Sequence, residues 1–112
     1  MTTPKKLLFI CSRNRWRSLT AEHMLKGHPG FSVKSAGTEP GARIRVNEGH
    51  IGWADLIFVM EKKQAQILKT KFSEALAGKE MICLQIPDDF EFMHPDLIDL
   101  LKANLTGHID LP

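Results

Sequence analysis

Four short strand-like segments alternate with helical segments along this chain, and this alternation constrains the fold more than any other sequence feature. The strand-like segments are residues 7–11, 31–36, 56–59 and 81–84. The first and third are continuous apolar runs, which are typical of strands buried on both faces. Parallel strands joined by crossover helices form a sheet that carries helices on both faces. The sequence therefore predicts an α/β fold of three layers around a four-stranded parallel sheet.

Helical patterns fill the intervals between these strands. Apolar residues at helical spacing predict helices from Ser18 to about Lys26, from about Lys62 to Gly78, and from Pro95 to Gly107. Residues 46–54 give a weaker helical pattern because two glycines interrupt it. A chain of 112 residues has the usual length of one domain, which we predict to span residues 1–112.

Composition and charge exclude several classes of function. No apolar run exceeds five residues, so we expect neither a membrane-spanning segment nor a secreted protein. Two cysteines do not form a disulfide framework, so we expect a cytoplasmic protein. Residues 1–37 hold seven basic side chains and one acidic side chain, whereas the net charge of the whole chain is only +2. This asymmetry favours a local anion site over a nucleic-acid surface.

The segment of residues 11–18 lies between the first strand and the first helix. The backbone N–H groups of such a loop, together with the helix N-terminus, can bind an anion and favour a thiolate at Cys11. The planar guanidinium of Arg17 can hold two oxygens of a tetrahedral oxyanion. Ser18 can donate a hydrogen bond to the thiolate, and Asn14 tolerates the left-handed torsions that a tight loop needs. The alternative is that Cys11 is a small buried hydrophobe beside a solvated turn.

Residues 11–18 resemble the phosphate-binding loop of the low-molecular-weight protein tyrosine phosphatases. The family pattern is Cys-x5-Arg-Ser after the first strand, with Asn three residues beyond the Cys, and Cys11, Asn14, Arg17 and Ser18 match it. Residues 35–38 and 54–60 resemble further family segments in the same order, so the resemblance covers most of the chain. It implies a fold like that of phosphotyrosine protein phosphatase I.

The resemblance also implies a mechanism. Cys11 would form a phosphocysteine, Arg17 and the loop amides would stabilise the phosphoryl oxygens, and an Asp after the fourth strand would act as general acid and base. Asp88 aligns best with the family's Asp, which leaves Asp89 in place of the family's Pro. We expect Ser12, Asp89, Phe90 and the remaining loop residues to contact substrate; these loop residues are Arg13, Asn14, Arg15, Trp16 and Ser18.

The implied activity is that of a metal-independent phosphomonoesterase, specifically a cysteine-dependent protein tyrosine phosphatase. The expected partners are a phosphorylated protein or a small phosphate monoester, with inorganic phosphate or other oxyanions in the loop. No cofactor, metal, nucleic acid or membrane is expected. The five histidines show no spacing with carboxylates or cysteines that indicates a metal site.

The chain departs from the family pattern mainly where substrate is recognised. Arg13 replaces the usual Gly, and Trp16 replaces a second loop cysteine, so Trp16 either forms a wall of the pocket or packs against the sheet. Phe90 is either another apolar wall or a link between the last helix and the core. The connection of residues 39–54 is short, which predicts a shallower recognition rim.

Two other functions stay open from the sequence. The altered loop and short rim are compatible with a phosphate- or phosphopeptide-binding module that has little catalytic activity. An arsenate-reductase-like oxyanion enzyme is the other alternative. The thioredoxin-coupled kind needs three redox cysteines, whereas this chain has two, and Cys83 lies inside an apolar strand.

Overall fold

The computed structural model describes residues 3–110, and its centre is a parallel sheet of four strands. The spatial order is β2-β1-β3-β4, so the two most apolar strands, β1 and β3, are the inner ones. This confirms the predicted sheet. The strands are β1 (Lys5–Cys11), β2 (Phe31–Gly37), β3 (Leu56–Val59) and β4 (Glu80–Cys83).

Within residues 3–110, five helices connect and cover the strands. One part of the helix prediction is wrong, because the segment from Lys62 to Gly78 forms two helices instead of one. Phe72 separates them with torsions φ −127° and ψ 36°, which lie outside the helical range. Apolar residues on both sides of Phe72 pack against the same core, so the apolar spacing alone did not reveal the break. The helices are α1 (Arg17–Leu25), α2 (Glu48–Trp53), α3 (Lys62–Lys71), α4 (Ser73–Leu76) and α5 (Pro95–Leu105).

Alternate residues of β1 contribute side chains to two separate cores, one on each face of the sheet. Leu7 and Phe9 pack with side chains of α1 and α5, whereas Leu8 and Ile10 pack with side chains of α2, α3 and α4. All four side chains are fully buried. The result is the predicted three-layer arrangement, in which β1 is held rigidly from both sides.

The strand order creates a crevice at the carboxyl end of β1. The chain runs from β1 to β2 on one side and then crosses to β3 on the other, so the segments that follow β1 and β3 diverge at this point. Such a switch point is the usual ligand position in open parallel sheets. The sequence predicted a ligand site formed by the segments after β1 and β4. The topology places the segment after β3 at the same site.

No helix among residues 3–110 is long and apolar enough to cross a bilayer.

Candidate active site

The segment between β1 and α1 folds into a tight loop with a buried interior and an exposed rim. Asn14 has a positive φ of 57°, which confirms the predicted left-handed conformation. This conformation turns the Asn14 N–H toward the Cys11 Sγ, at 3.2 Å. The side chains divide between interior and rim: Cys11, Ser12, Asn14, Arg17 and Ser18 are buried, whereas Arg13, Arg15 and Trp16 are exposed.

Two hydrogen-bond donors face the sulfur of Cys11. One is the Asn14 N–H, and the other is the hydroxyl of Ser18, whose Oγ lies 2.9 Å from the Sγ. These two contacts hold the sulfur in one position inside the loop.

A chain of hydrogen bonds that begins at Glu22 determines which way the Ser18 hydroxyl points. The Glu22 carboxylate only accepts, so the Ser35 hydroxyl donates to it. The Ser35 Oγ must then accept from the amide of Asn14, whose Nδ2 lies 2.8 Å away. The second N–H of the same amide donates to the Ser18 Oγ, also at 2.8 Å. This leaves the Ser18 proton free to donate to Cys11.

Arg17 is the most deeply buried charged side chain of the site, with 2% of its side chain exposed. Its Nη1 donates to Glu61 Oε1 at 2.5 Å and to the carbonyl oxygen of Ile86 at 2.9 Å, and its Nε lies 3.5 Å from Asp88 Oδ1. Glu61 follows β3, and Asp88 follows β4. Arg17 therefore connects the segments that follow three different strands, and its guanidinium is held in one orientation.

Sequence reasoning missed Glu61 and Gln64, which fix this arrangement from the start of α3. Burial raises the pKa of Glu61, but hydrogen bonding and charge from Arg17, with smaller effects of Lys63 and Gln64, lower the pKa below its usual value overall. Gln64 Oε1 accepts from the Glu61 N–H at 2.6 Å, and Gln64 Nε2 donates to the Ser12 Oγ at 3.1 Å. The sequence does contain a pattern that indicates this helix start. A Glu with Gln three residues later, directly after a buried strand, is typical of a capping box at a helix N-terminus.

The connection after β2 supports the loop from its outer side. Backbone N–H groups of Thr38, Glu39 and Arg43 donate to the carbonyl oxygens of Cys11, Ser12 and Arg13, at 2.9–3.0 Å. The Arg43 Nε adds a bond of 3.2 Å to the Asn14 carbonyl. The short connection therefore holds the backbone of the loop between β1 and α1 in place.

Close contact between this connection and the loop requires glycine at position 37. A Cβ on Gly37 would lie 2.5 Å from the Ser12 carbonyl oxygen and 2.7 Å from the Cβ of Ala42. Because the first of these neighbours is backbone, a side chain at position 37 would push the loop away from β2.

These groups surround a small cavity of about 50 Å³. Asp88 faces this cavity together with loop residues, whereas Ser12, Asn14 and Ser18 are buried and do not line it. Asp89 and Phe90 do not line it. Phe90 is half-buried against the core between the sheet and helices α1 and α5, which agrees with the alternative that it links the last helix to the core. The lining residues are Cys11, Arg13, Arg15, Trp16, Arg17 and Asp88.

Comparison with solved structures gives many similar chains. The phosphatase Wzb of Escherichia coli K30, described as a tyrosine phosphatase in complex with phosphate, matches with a TM-score of 0.74 and 20% identity over 91% of this chain and 94% of Wzb. SP-PTP of Streptococcus pyogenes, a low-molecular-weight protein tyrosine phosphatase, matches with a TM-score of 0.74 and 16% identity over 95% and 94%. The YwlE arginine phosphatase of Geobacillus stearothermophilus matches with a TM-score of 0.64 and 22% identity over 97% and 100%.

The chain has the fold of the low-molecular-weight protein tyrosine phosphatases. No protein-family model matches the chain, and no curated protein sequence matches it. The likeness therefore concerns the fold, and it agrees with the fold that the loop resemblance implied. Within residues 3–110 of this phosphatase-like fold, no three His, Cys, Asp or Glu side chains are grouped so that they could hold a metal ion.

Proposed function

We propose that this protein is a cysteine-dependent phosphatase that hydrolyses phosphate monoesters through a phosphocysteine at Cys11. The observation that carries the proposal is the shared cavity of Cys11, Arg17 and Asp88. It combines a hydrogen-bonded sulfur, a fixed guanidinium and a carboxyl group, and these are the groups that phosphoryl transfer to and from a thiolate needs. The fold likeness to known phosphatases supports the same activity.

In the first step, the Cys11 thiolate attacks phosphorus and the bond from phosphorus to the leaving oxygen breaks. Asp88, in its protonated form, gives its proton to that oxygen. Arg17 and the loop N–H groups stabilise the charge that develops on the phosphoryl oxygens. The products are the free alcohol and phosphocysteine.

In the second step, water attacks the phosphocysteine. The Asp88 carboxylate accepts a proton from the water, the sulfur–phosphorus bond breaks, and inorganic phosphate leaves with the Cys11 thiolate restored. Asp88 is thereby protonated again for the next cycle. Asp88 rather than Asp89 is proposed for both proton transfers because only Asp88 lines the cavity.

Both steps need a reduced thiol, so the proposal includes a cytoplasmic location, where thiols are kept reduced. The proposed substrates are a phosphorylated protein, with phosphotyrosine as the first candidate, or a small phosphate monoester. A phosphoarginine substrate is a second candidate, because one of the similar structures is described as an arginine phosphatase.

The experiment measures turnover of a small aryl phosphate by the wild type, Cys11→Ser and Cys83→Ser. We expect phosphate and vanadate to inhibit the wild type, Cys11→Ser to have no turnover, and Cys83→Ser to retain turnover. Cys83 is a suitable control because it lies on β4 and does not line the cavity. Acid quenching during turnover, followed by mass spectrometry of peptides, should find phosphate on Cys11.

Undiminished turnover by Cys11→Ser would contradict the mechanism. Binding of inorganic phosphate by the wild type, without turnover of either aryl phosphate or phosphoarginine, would instead identify a binding module. Calorimetry with inorganic phosphate separates that outcome from a misfolded preparation, because Cys11→Ser should still bind the oxyanion.

A further inference from the structure

The rim of the cavity carries two arginines besides Arg17, which is the arginine assigned to the phosphoryl group. Three arginines line the cavity, and Arg17 is already balanced by Glu61 and Asp88. Arg15 is exposed and forms no ion pair with any of residues 3–110. Two cations at the rim are therefore left for some other partner, since the ion pair of Arg13 is exposed and weak.

Arg13 contacts Glu39, but this ion pair is easily exchanged. Its Nε lies 3.4 Å from Glu39 Oε2, and the two side chains are 73% and 47% exposed. Exposed pairs of this kind contribute between about 0 and 1 kcal/mol. An anion on a bound ligand can therefore replace Glu39 at small cost.

The size of the cavity places most of a substrate outside it. A volume of about 50 Å³ is far below the roughly 300–1,000 Å³ of pockets that enclose drug-sized ligands. The phosphoryl group is the part of the substrate that has to reach Cys11 in this small space, so the rest of the substrate must extend over the rim. The rim consists of Arg13, Arg15 and Trp16, whose side chains are all exposed.

Hydrogen bonds hold in place the backbone that carries these two arginines. Asn14, between the two arginines, is fully buried, its N–H faces the sulfur, and its carbonyl accepts from Arg43. The Arg13 carbonyl accepts from the Arg43 N–H at 3.0 Å. Long arginine side chains on a fixed backbone can reach a group close to the phosphate, and their planar forks suit carboxylate and phosphate oxygens.

We propose that the preferred substrates carry a second anionic group, a carboxylate or a phosphate, close to the phosphate monoester, and that Arg15 binds it with help from Arg13. This inference rests on the proposed phosphatase activity and names its substrate class. An acidic residue beside a phosphorylated side chain and a small molecule with two anionic groups would both supply this chemistry.

The first test compares two aryl phosphates that differ only in charge, 4-(carboxymethyl)phenyl phosphate and 4-(carbamoylmethyl)phenyl phosphate. The methylene group keeps the leaving oxygen nearly the same in both. We expect the wild type to show a kcat/KM about fivefold higher for the carboxylate, as two exposed charge contacts allow. The preference should shrink as salt is raised, because exposed charges are screened.

The second test repeats the comparison with Arg15→Gln, Arg13→Gln and the control Arg45→Gln. Arg45 is exposed and does not line the cavity, so its loss removes the same charge from outside the site. We expect Arg15→Gln to reduce the preference by about two- to fivefold and Arg13→Gln to reduce it less. Arg45→Gln should keep the preference of the wild type.

A third test uses phosphotyrosyl peptides with Glu or Gln beside the phosphorylated residue. A Glu preference that Arg15→Gln removes indicates a protein substrate, and a preference seen only with the small aryl phosphates indicates a small-molecule substrate. The inference is overturned if Cys11-dependent turnover shows no preference for the anion in either series, or if Arg45→Gln removes the preference as fully as Arg15→Gln.

Binding measurements distinguish failure of the phosphatase proposal from failure of the second-anion site. Calorimetry of both aryl phosphates with Cys11→Ser measures recognition without chemistry. Tighter binding of the carboxylate together with absent wild-type turnover overturns the proposed catalysis and retains the second-anion site. Equal binding of the two ligands, with turnover intact, overturns the second-anion site and retains the catalysis.

Discussion

The interior and the rim of the loop after β1 lie side by side in sequence but have different physical properties. Interior side chains such as Cys11 and Arg17 are buried and held by hydrogen bonds from several elements. Rim side chains such as Arg15 and Trp16 are exposed. The interior matches the pattern of the resembled family, whereas departures at positions 13 and 16 both fall on the rim. The proposed chemistry therefore rests on the interior, whereas the choice of substrate depends on the rim.

The largest expected effect tests the interior. Arg17→Lys should reduce kcat/KM for a neutral aryl phosphate by about 10²–10³, the usual effect of removing one oxyanion donor. A lysine has no planar fork, so it cannot contact Glu61 and the Ile86 carbonyl while also holding two phosphoryl oxygens.

Steady-state kinetics measures this loss, and Arg45→Lys serves as the matched control outside the cavity. Turnover by Arg17→Lys within about threefold of the wild type would mean that fixed guanidinium geometry does not matter, and the difference between interior and rim would lose its basis.

The next effect concerns the backbone that separates interior from rim. Gly37→Ala should lower the free energy of unfolding by about 1–3 kcal/mol, because its Cβ would lie 2.5 Å from the Ser12 carbonyl oxygen. Gly41→Ala is the control, since a Cβ there meets no atom within 4 Å and should change stability by less than about 0.5 kcal/mol. Urea unfolding measures both, and equal stabilities would show that the loop can move away from β2 freely.

The sequence predicted the parts of this molecule that local patterns determine. The continuous apolar runs of β1 and β3 indicated buried parallel strands, and the position of Cys11 at the end of β1 indicated the loop. Glu61 was missed because its role depends on the strand order, which places the end of β3 beside the end of β1. The break at Phe72 was missed because the apolar spacing continues through it.

Glu61→Gln compares an ion pair of the interior with one of the rim. The pKa of Glu61 is lowered in the folded protein, so its charge stabilises the fold above its ordinary pKa of 4.5, and this stabilisation is lost as the pH falls through the lowered value. We expect Glu61→Gln to be less stable than the wild type at neutral pH by less than about 1 kcal/mol. The difference should disappear in acid, where the wild-type carboxyl is protonated.

Urea unfolding from pH 7 to pH 3 measures this difference, and Glu39→Gln is the rim control. Glu39 pairs with Arg13, and both side chains are largely exposed, so the loss of that pair should have a smaller effect. A Glu61→Gln deficit that stays constant down to the lowest pH would rule out the charge as its origin.

The smallest expected effect concerns Glu22, which acts on Cys11 only through three intervening side chains. A Gln at position 22 can donate as well as accept, so Ser35 no longer has to donate to it, and the amide of Asn14 no longer has to present both N–H groups. The Ser18 proton then spends part of its time pointing away from the sulfur.

We expect the rate of alkylation of Cys11 by iodoacetamide at neutral pH to fall by about two- to fivefold, as expected for partial loss of one hydrogen bond. Glu74→Gln, on α4 at the opposite face of the sheet, controls for the lost charge, and an equal fall in both variants would mean that Glu22 acts through long-range charge and not through the orientation of Ser18.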